Sequence, residues 1–410
     1  MTPHWFREVT ADGWLLLAAC AVRNLAYGYL SVILGLYLTA LGLDVTTVGA
    51  IFTVTLGGGA ALTLGLAGVA DRVGRRRVLL IGSLLMVVSG IVFVLTDHVW
   101  LLTLAAVIGT MSPSGKDVGP FLSVEQAILP ETAPAARRTE LFAAYNAVNY
   151  GAAALGALGT AAPAFLGVSP QDGFRVLLWG YAGIGLVLAA LFGRLSPSVE
   201  APTRESAPLL RVPGTRRSRG TVAKLAALFA LDSFAGGFIV QSLVALWFSI
   251  RFGADPSDLA AIFFGANLLA GLSFFAAPPL ARRFGLLNTM VFTHLPSNVL
   301  LLLLPLMPTY ELAIVVFLAR FLLSQLDVPT RQSYTMAIID PADRAAAAGV
   351  LAVTRNAAAA VAPALAGASL ASPVIGLPFL VAGGLKIIYD LAIFAVFRRV
   401  RPPEEALRSR

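Results

Sequence analysis

Cysteine is nearly absent. Cys20 stands alone among 410 residues, so neither an internal disulfide nor a cysteine metal cluster can form. Histidine is scarce, with only His4, His98 and His294. The chain holds no H-E-x-x-H, no G-x-S-x-G, no phosphate-binding loop and no metal-spaced cluster. These absences remove the common hydrolytic, metal-dependent and ATP-driven chemistries, so the chain is read as a non-enzyme with no cofactor. Charge is thin too: 13% of residues are charged and 58% are hydrophobic, whereas a soluble domain carries about 25% charged residues.

What the chain has instead is apolar length. Mean hydropathy is +0.81, and about 20 apolar residues make one helical membrane crossing. Twelve such segments follow one another near 13–40, 46–69, 78–96, 100–128, 139–166, 174–194, 222–250, 257–280, 286–308, 311–339, 345–370 and 374–397. A transmembrane barrel would alternate polar and apolar residues, and these runs do not. The fold class expected is therefore an all-α membrane protein with twelve transmembrane helices.

The text also repeats. Gly42, Asp44, Ile51, Phe52, Ala70, Arg72 and Gly74 recur 211 positions later as Gly253, Asp255, Ile262, Phe263, Ala281, Arg283 and Gly285. Such duplication predicts two pseudo-symmetric six-helix bundles, residues 1–194 and 222–410, facing each other across a cleft that serves alternating access. Residues 195–221, rich in Pro, Ser and Arg, read as a flexible or loosely surface-bound cytoplasmic linker.

The net charge of +8 does not point to nucleic acid, because its distribution sets topology. Arg72, Arg75, Arg76, Arg77, Arg137, Arg138, Arg282, Arg283, Arg344, the linker and the C-terminal arginines all fall on one side. Only Arg175 and Arg251 fall on the other. Under the positive-inside rule, both termini and the linker are cytoplasmic in a multi-pass plasma (inner) membrane protein whose surroundings are the lipid bilayer. The apolar stretch after Arg7 is too long for a signal-peptide core and reads as a retained first helix.

One loop carries a family signature. After the second segment comes A-D-R-V-G-R-R-R, Ala70 to Arg77. Gly74 lets the chain reverse, and Asp71 can accept from a helix N-terminus or pair with an arginine. A generic positive-inside loop would also account for it. The stretch resembles the G-x-x-x-D-R-x-G-R-R loop of the major facilitator superfamily, with Ala67 in place of the first glycine. The resemblance implies a monomeric secondary transporter whose segments 1, 4, 7 and 10 line a central cavity. It also implies that Asp71, Arg72 and Arg75 form ion pairs holding the cytoplasmic side closed, with Arg137 or Arg138 nearby. The second copy, A-R-R-F-G at 281–285, has Arg282 where the acid should be, which suggests a latch lopsided between the halves.

Subfamily signals are mixed. The sugar-porter P-E-S-P-R type segment is absent, and Gly109 stands near the position of the drug–proton antiporters' segment 4 arginine. L-A-R-F-L at 318–322 looks like that arginine motif moved to the second half. A-P-A-L-A-G at 362–367 is similar to the antiporters' proline–glycine motif. The nearest flavour is that of bacterial drug/proton antiporter-like members.

Charges inside the membrane mark the candidate site, since each costs roughly 2.5–3.5 kcal/mol at the bilayer centre. Arg23, Lys116, Asp117, Glu125, Asp232, Arg320, Asp327, Arg331, Arg355, Lys386 and Asp390 all sit in apolar segments, most of them on segments 1, 4, 7 and 10. Arg320, Asp327 and Arg331 share one face, with Asp327 expected to pair with one arginine and leave the other partly free. A buried ion network that only fixes packing is the rival account. Around Lys116 and Asp117, the run Ser112–Pro120 holds two prolines and two glycines, which should break the helix as broken helices do at ion or substrate sites. A mere kink is the plainer account there.

Arg23, Asn24 and Tyr27 lie within one turn, and Asn149 falls opposite Arg355 in the repeat. Asp232 lacks a basic partner on its own segment. A lone carboxyl in a dry cleft takes up and releases protons, so Asp232 is the first candidate carrier, with Asp117, Glu125 and Asp327 behind it; a packing role competes. Gln241 reads as a helix-contact amide or a ligand. His294 reads as an interface residue or a proton relay.

The expected function is secondary active transport by alternating access. The first reading is proton-coupled export of a small organic or amphipathic compound. The alternative is transport or exchange of a small organic anion, a carboxylate or phosphate ester, on Arg23, Lys116, Arg331 and Arg355. A receptor or scaffold on the same fold would need outer loops larger than these. The partners are thus a small-molecule substrate and protons.

Overall fold

The computed structural model describes residues 8–115, 120–134, 137–200 and 216–400, with side chains at all but 66–69, 71, 120, 139, 216, 217 and 345. Among the described residues there is no strand. The helices are α1 Ala11–Ala40, α2 Val45–Val73, α3 Arg75–Leu95, α4 Val99–Ile108, α5 Pro120–Ile128, α6 Arg138–Gly159, the short α7 Ala162–Phe165 and α8 Pro170–Phe192. They continue as α9 Arg216–Gly237, α10 Gln241–Phe252, α11 Pro256–Ser273, α12 Ala277–Phe284, α13 Leu286–Leu303, α14 Tyr310–Ser324, α15 Asp327–Ile338, α16 Arg344–Leu370 and α17 Leu377–Phe397. Among the described residues, ten stretches are long and apolar enough to cross a membrane. Each of the twelve expected segments has helical counterparts.

Two compact units form. One comprises Met1–Asp44, Ile51–Leu209 and Val244–Phe264; the other comprises Val45–Ala50, Leu210–Leu243 and Gly265–Arg410. The repeat is written into the backbone of both. Gly42 and Gly253 take φ +88 and +71, and Gly74 and Gly285 take +105 and +85. Only glycine adopts such angles without strain, so the matched glycines end and restart helices at matched places. Phe52 and Phe263 are both buried. Asp255 begins α11 by accepting from the Ser257 and Asp258 amides at 2.8 and 2.9 Å, as an N-cap carboxylate does.

Small residues let helices approach where no hydrophobic force between helices operates in lipid. Within the first unit α1 crosses α6 at Gly28 and Gly156. A Cβ on Gly28 would lie 2.2 Å from the Ala153 carbonyl oxygen, and one on Gly156 would lie 2.1 Å from that of Leu25. Those glycines set the spacing.

Segment 4 is interrupted, as its prolines and glycines predict; segments 7 and 10, expected continuous, are interrupted as well, and segment 8 tightens to a 3-10 turn at Phe274–Ala276. Segment 4 comprises α4 and α5, segment 7 α9 and α10, segment 8 α11 and α12, and segment 10 α14 and α15. At the first break Thr110 takes φ +53 and Gly115 takes +66. The carbonyl that the break frees at Gly109 accepts from the Tyr181 hydroxyl at 2.6 Å, and Tyr27 meets the Thr110 hydroxyl at 3.1 Å. Irregular backbone inside a membrane needs such partners. The breaks in segments 4 and 10 fall at equivalent repeat positions. Lys116 and Asp117 lie outside the described residues.

The described parts of the linker expected over 195–221 carry local structure. Pro197–Val199 forms a 3-10 turn tied to the start of α1. The Ser196 amide and hydroxyl donate to Asp12 at 2.9 and 2.6 Å, and the Ser198 hydroxyl donates at 3.2 Å. α9 begins at Arg216.

Candidate functional site

In the first unit the interior charge closes on itself. Arg23 on α1 grips Glu125 on α5 with both guanidinium nitrogens, at 2.5 and 2.8 Å, and neither side chain reaches solvent. The Tyr145 hydroxyl on α6 donates to Glu125 at 2.6 Å, and Phe121 lies under the guanidinium at 5.0 Å. Fork-on-fork pairing with a further donor meets the conditions under which a buried pair offsets its desolvation. Asn24, one residue on, donates to the Cys20 carbonyl at 2.9 Å. Tyr27 belongs to the break in segment 4. Arg23, Asn24, Tyr27 and Glu125 are therefore one neighbourhood, and Tyr145 is the member that sequence reasoning missed. An aromatic hydroxyl two elements away gives no signal in a linear text.

In the second unit the arrangement differs. Asp232 on α9 is held twice, by the Lys386 amine at 2.5 Å and by Arg331 at 3.0 Å. Its expected isolation is overturned: the partner comes from α17, 154 positions away. Arg331 also pairs with Asp327 at 3.1 Å, one turn back on α15, as the stripe predicts. The Phe229 ring covers the same guanidinium at 5.6 Å. Asp232, Arg331, Asp327 and Lys386 thus form a neutral quartet.

Two arginines stand beyond it. Arg320 on α14 is 9% exposed, faces the Phe321 ring at 5.2 Å, and has a buried Nε with no hydrogen-bond partner. Arg355 on α16 donates to the Ser233 hydroxyl at 3.3 Å. Both lie within electrostatic reach of Asp232, whose oxygens Lys386 and Arg331 already hold. Gln241 opens α10, just past the break after Gly237. Lys386 counts among the interior charges of the sequence, but its pairing with Asp232 on another helix does not show there. Its four-residue spacing from Asp390 on an apolar segment was the available signal.

A third group sits beside this network. His294 Nδ1 on α13 is 2.8 Å from Asp390 Oδ1 on α17, and Asn298 Nδ2 is 2.8 Å from Asp390 Oδ2.

At the loop after α2, Gly74 makes the turn, Arg72 is exposed and Arg75 is buried. The acid that meets the start of α3 is Glu200. Its carboxylate accepts from the Arg75 and Arg76 amides at 2.6 and 3.3 Å, the position where a helix dipole favours negative charge. Arg75 reaches Glu131 and the Val199 carbonyl, each at 3.4 Å, and Arg76 donates to the Gly193 carbonyl. Arg137 pairs with Glu8 at 3.5 Å and Glu140 at 3.4 Å, while Arg138 donates to the Pro130 carbonyl at 3.1 Å. The Asp71 side chain lies outside those described.

Duplicated helical halves, broken segments and buried charge define a membrane transporter. The chain belongs to the Major Facilitator Superfamily, whose family model matches residues 16–326. A yeast relative, the uncharacterized membrane protein YJR124C of Saccharomyces cerevisiae, is 27% identical over 428 residues, spanning 96% of this chain and 95% of that one. Among solved structures, the nucleoside transporter NupG aligns over 95% of this chain and 100% of its own with TM-score 0.74 and 16% identity. The POT family transporter PepTSo aligns over 97% and 98% with TM-score 0.75 and 14% identity. The human organic anion transporter MFSD10 (TETRAN) aligns over 96% and 100% with TM-score 0.60 and 16% identity. At such identities the likeness is one of fold, and that fold is one of secondary transporters.

Proposed function

We propose that this protein moves a small organic anion, a carboxylate or phosphate ester, across a prokaryotic-type inner membrane by alternating access. It works as a monomer with both termini cytoplasmic, residues 1–194 and 222–410 as its two halves and 195–221 as the link between them. The observation that supports the anion is the pair Arg320 and Arg355. A guanidinium held in a membrane interior without a carboxylate is expensive, and an anionic cargo supplies the missing charge. Asp232 had argued for export of an amphipathic compound as a lone carboxyl; paired with both Lys386 and Arg331, it supports that reading no longer. Arg23 and Glu125 serve as a neutral brace, with Asn24, Tyr27 and the broken segment containing Lys116 and Asp117 facing the cargo. Gln241 lies at the hinge of segment 7. Asp71, Arg72, Gly74 and Arg75 act as the cytoplasmic latch.

The test is thermal unfolding of purified protein with succinate, glycerol 3-phosphate and uncharged glycerol. A ligand that binds only the folded protein stabilises it by about 2.7 kcal/mol at a hundredfold excess over its Kd. An anion should raise Tm and glycerol should not. Arg355→Gln and Arg320→Gln should each abolish the rise. Stabilisation by anions that survives both substitutions would overturn the assignment of these arginines.

A further inference from the structure

The buried carboxyls in mid-span divide into two kinds. Glu125 is neutralised by Arg23, Asp327 by Arg331, and Asp232 by Lys386 and Arg331. Asp390 is different. It is 1% exposed, and among the described residues its hydrogen bonds come from His294 and Asn298 alone. Lys386 lies one turn earlier on α17, on the same face, yet its amine is turned to Asp232.

The triangle made by His294, Asn298 and Asp390 accepts two proton counts without moving a heavy atom. His294 Nδ1 is 2.8 Å from Asp390 Oδ1 and 3.1 Å from Asn298 Nδ2. With a proton on Nδ1, the imidazole donates to a carboxylate and cannot also accept from the amide. With Nδ1 bare, the imidazole accepts, and the short contact then requires a proton on Asp390 itself. With its ring proton on Nε2, the imidazole of the second arrangement stays neutral, and the pair holds one proton more than in the first, where Nε2 is bare. Asn298 Oδ1 is buried with no partner, so a turned amide offers a spare acceptor to either proton. The three groups form a basin for one exchangeable proton.

We propose that His294, Asn298 and Asp390 form the proton-binding site of this transporter, taking up the proton that accompanies the cargo. The charged or titratable groups around it are Lys386 and Tyr389 on α17, Asp232 on α9, Arg320 on α14 and Arg331 on α15. Tyr389 packs edge-on against the His294 ring at 6.1 Å, and the Ser297 hydroxyl joins α13 to the Arg320 carbonyl at 3.3 Å. When the proton enters, Asp390 loses its negative charge or His294 gains a positive one. The interior then becomes more cationic by one unit beside Asp232, the carboxylate that acts on both Arg320 and Arg355. Anion and proton therefore assist each other's binding, which makes the transport a co-transport. That coupling rests on the anion reading; the proton site itself does not.

The experiment uses the full chain, labelled with 15N-histidine and held in lipid nanodiscs. Only His4, His98 and His294 contribute signals, and His294→Gln identifies the third. Across a pH titration the His294 signal should change tautomer or protonation state. Asp390→Asn should abolish that change or move its midpoint by about one pH unit or more. A wild-type His294 signal constant over the range overturns the site, and so does a midpoint indifferent to Asp390→Asn. A second arm adds saturating succinate, which should raise the midpoint because reciprocal linkage favours the protonated form. A titrating His294 that ignores an anion shown to bind would refute the coupling and leave the proton site standing.

Discussion

Lys386 on α17 reaches across to Asp232 on α9 with its amine 2.5 Å from the carboxylate, and both side chains are under a tenth exposed. The contact joins α17 to α9 within the second unit. It turns what reads as a lone acid into the middle of a neutral quartet.

Removing one member of that quartet leaves the others uncompensated. Asp232→Asn should destabilise the protein by about 3–5 kcal/mol, the range for breaking a buried pair from one side. Lys386→Met alone should cost less, because Arg331 still holds Asp232. The double substitution should be milder than the sum of the singles. Thermal unfolding of the four proteins in one detergent forms a double-mutant cycle, and strict additivity would refute the pairing.

The same logic applies to Arg23 and Glu125, with a sharper contrast. Each pair member changed alone, as Arg23→Met or Glu125→Gln, should lower stability by about 3–5 kcal/mol. Joint replacement by Arg23→Met and Glu125→Leu should restore most of it. Tyr145→Phe removes one hydrogen bond to a charged group and should cost about 1.5–3 kcal/mol. If the double variant is as unstable as the worse single one, the pair is not a self-contained brace.

Glu200 should behave as the anchor of α3. Glu200→Ala withdraws the acceptor from the Arg75 and Arg76 amides, so hydrogen exchange should speed at those two positions and not at mid-helix. The stability cost should be about 1 kcal/mol, that of a lost cap. Transport is the second readout: Asp71→Asn in the neighbouring loop should impair it, whereas Arg282→Asp in the degenerate copy should matter much less. Equal damage from both would count against a lopsided latch.

Spacing between α1 and α6 offers a purely steric test. Gly156→Val drives a side chain into the Leu25 carbonyl and should destabilise by at least the 1–3 kcal/mol typical of overpacking. Gly159→Ala, whose Cβ would sit 3.8 Å from Tyr29, should be tolerated. The melting temperatures of the two variants decide it, and equal tolerance would show that the helices are not held at glycine distance.

How much of this was legible without coordinates depends on the range of each interaction. The break between α4 and α5 was foreseeable because Ser112–Pro120 carries its own glycines and prolines, and their effect is local. Asp327 and Arg331 were foreseeable because a four-residue spacing on one helix fixes their faces. The split of segment 7 after Gly237 was not expected, for no proline announces it. Glu200 reads as part of a flexible or loosely surface-bound linker, since nothing nearby in sequence shows that its carboxylate meets a helix 125 positions earlier.

The sequence by itself determined the membrane class, the twelve apolar segments and the repeat, because bilayer thickness and backbone φ act residue by residue. Only the tertiary structure decided the charge partners that lie on different helices. Arg23 finds Glu125 102 positions away, and Asp390 finds His294 96 positions away. Pairing across helices depends on the rotation and depth of each helix against its neighbour. A turn of one residue, about 100° at 3.6 residues per turn, would point any of these side chains elsewhere. Helix packing sets that angle, and so tertiary packing alone distinguishes a neutralised acid from one free to take a proton.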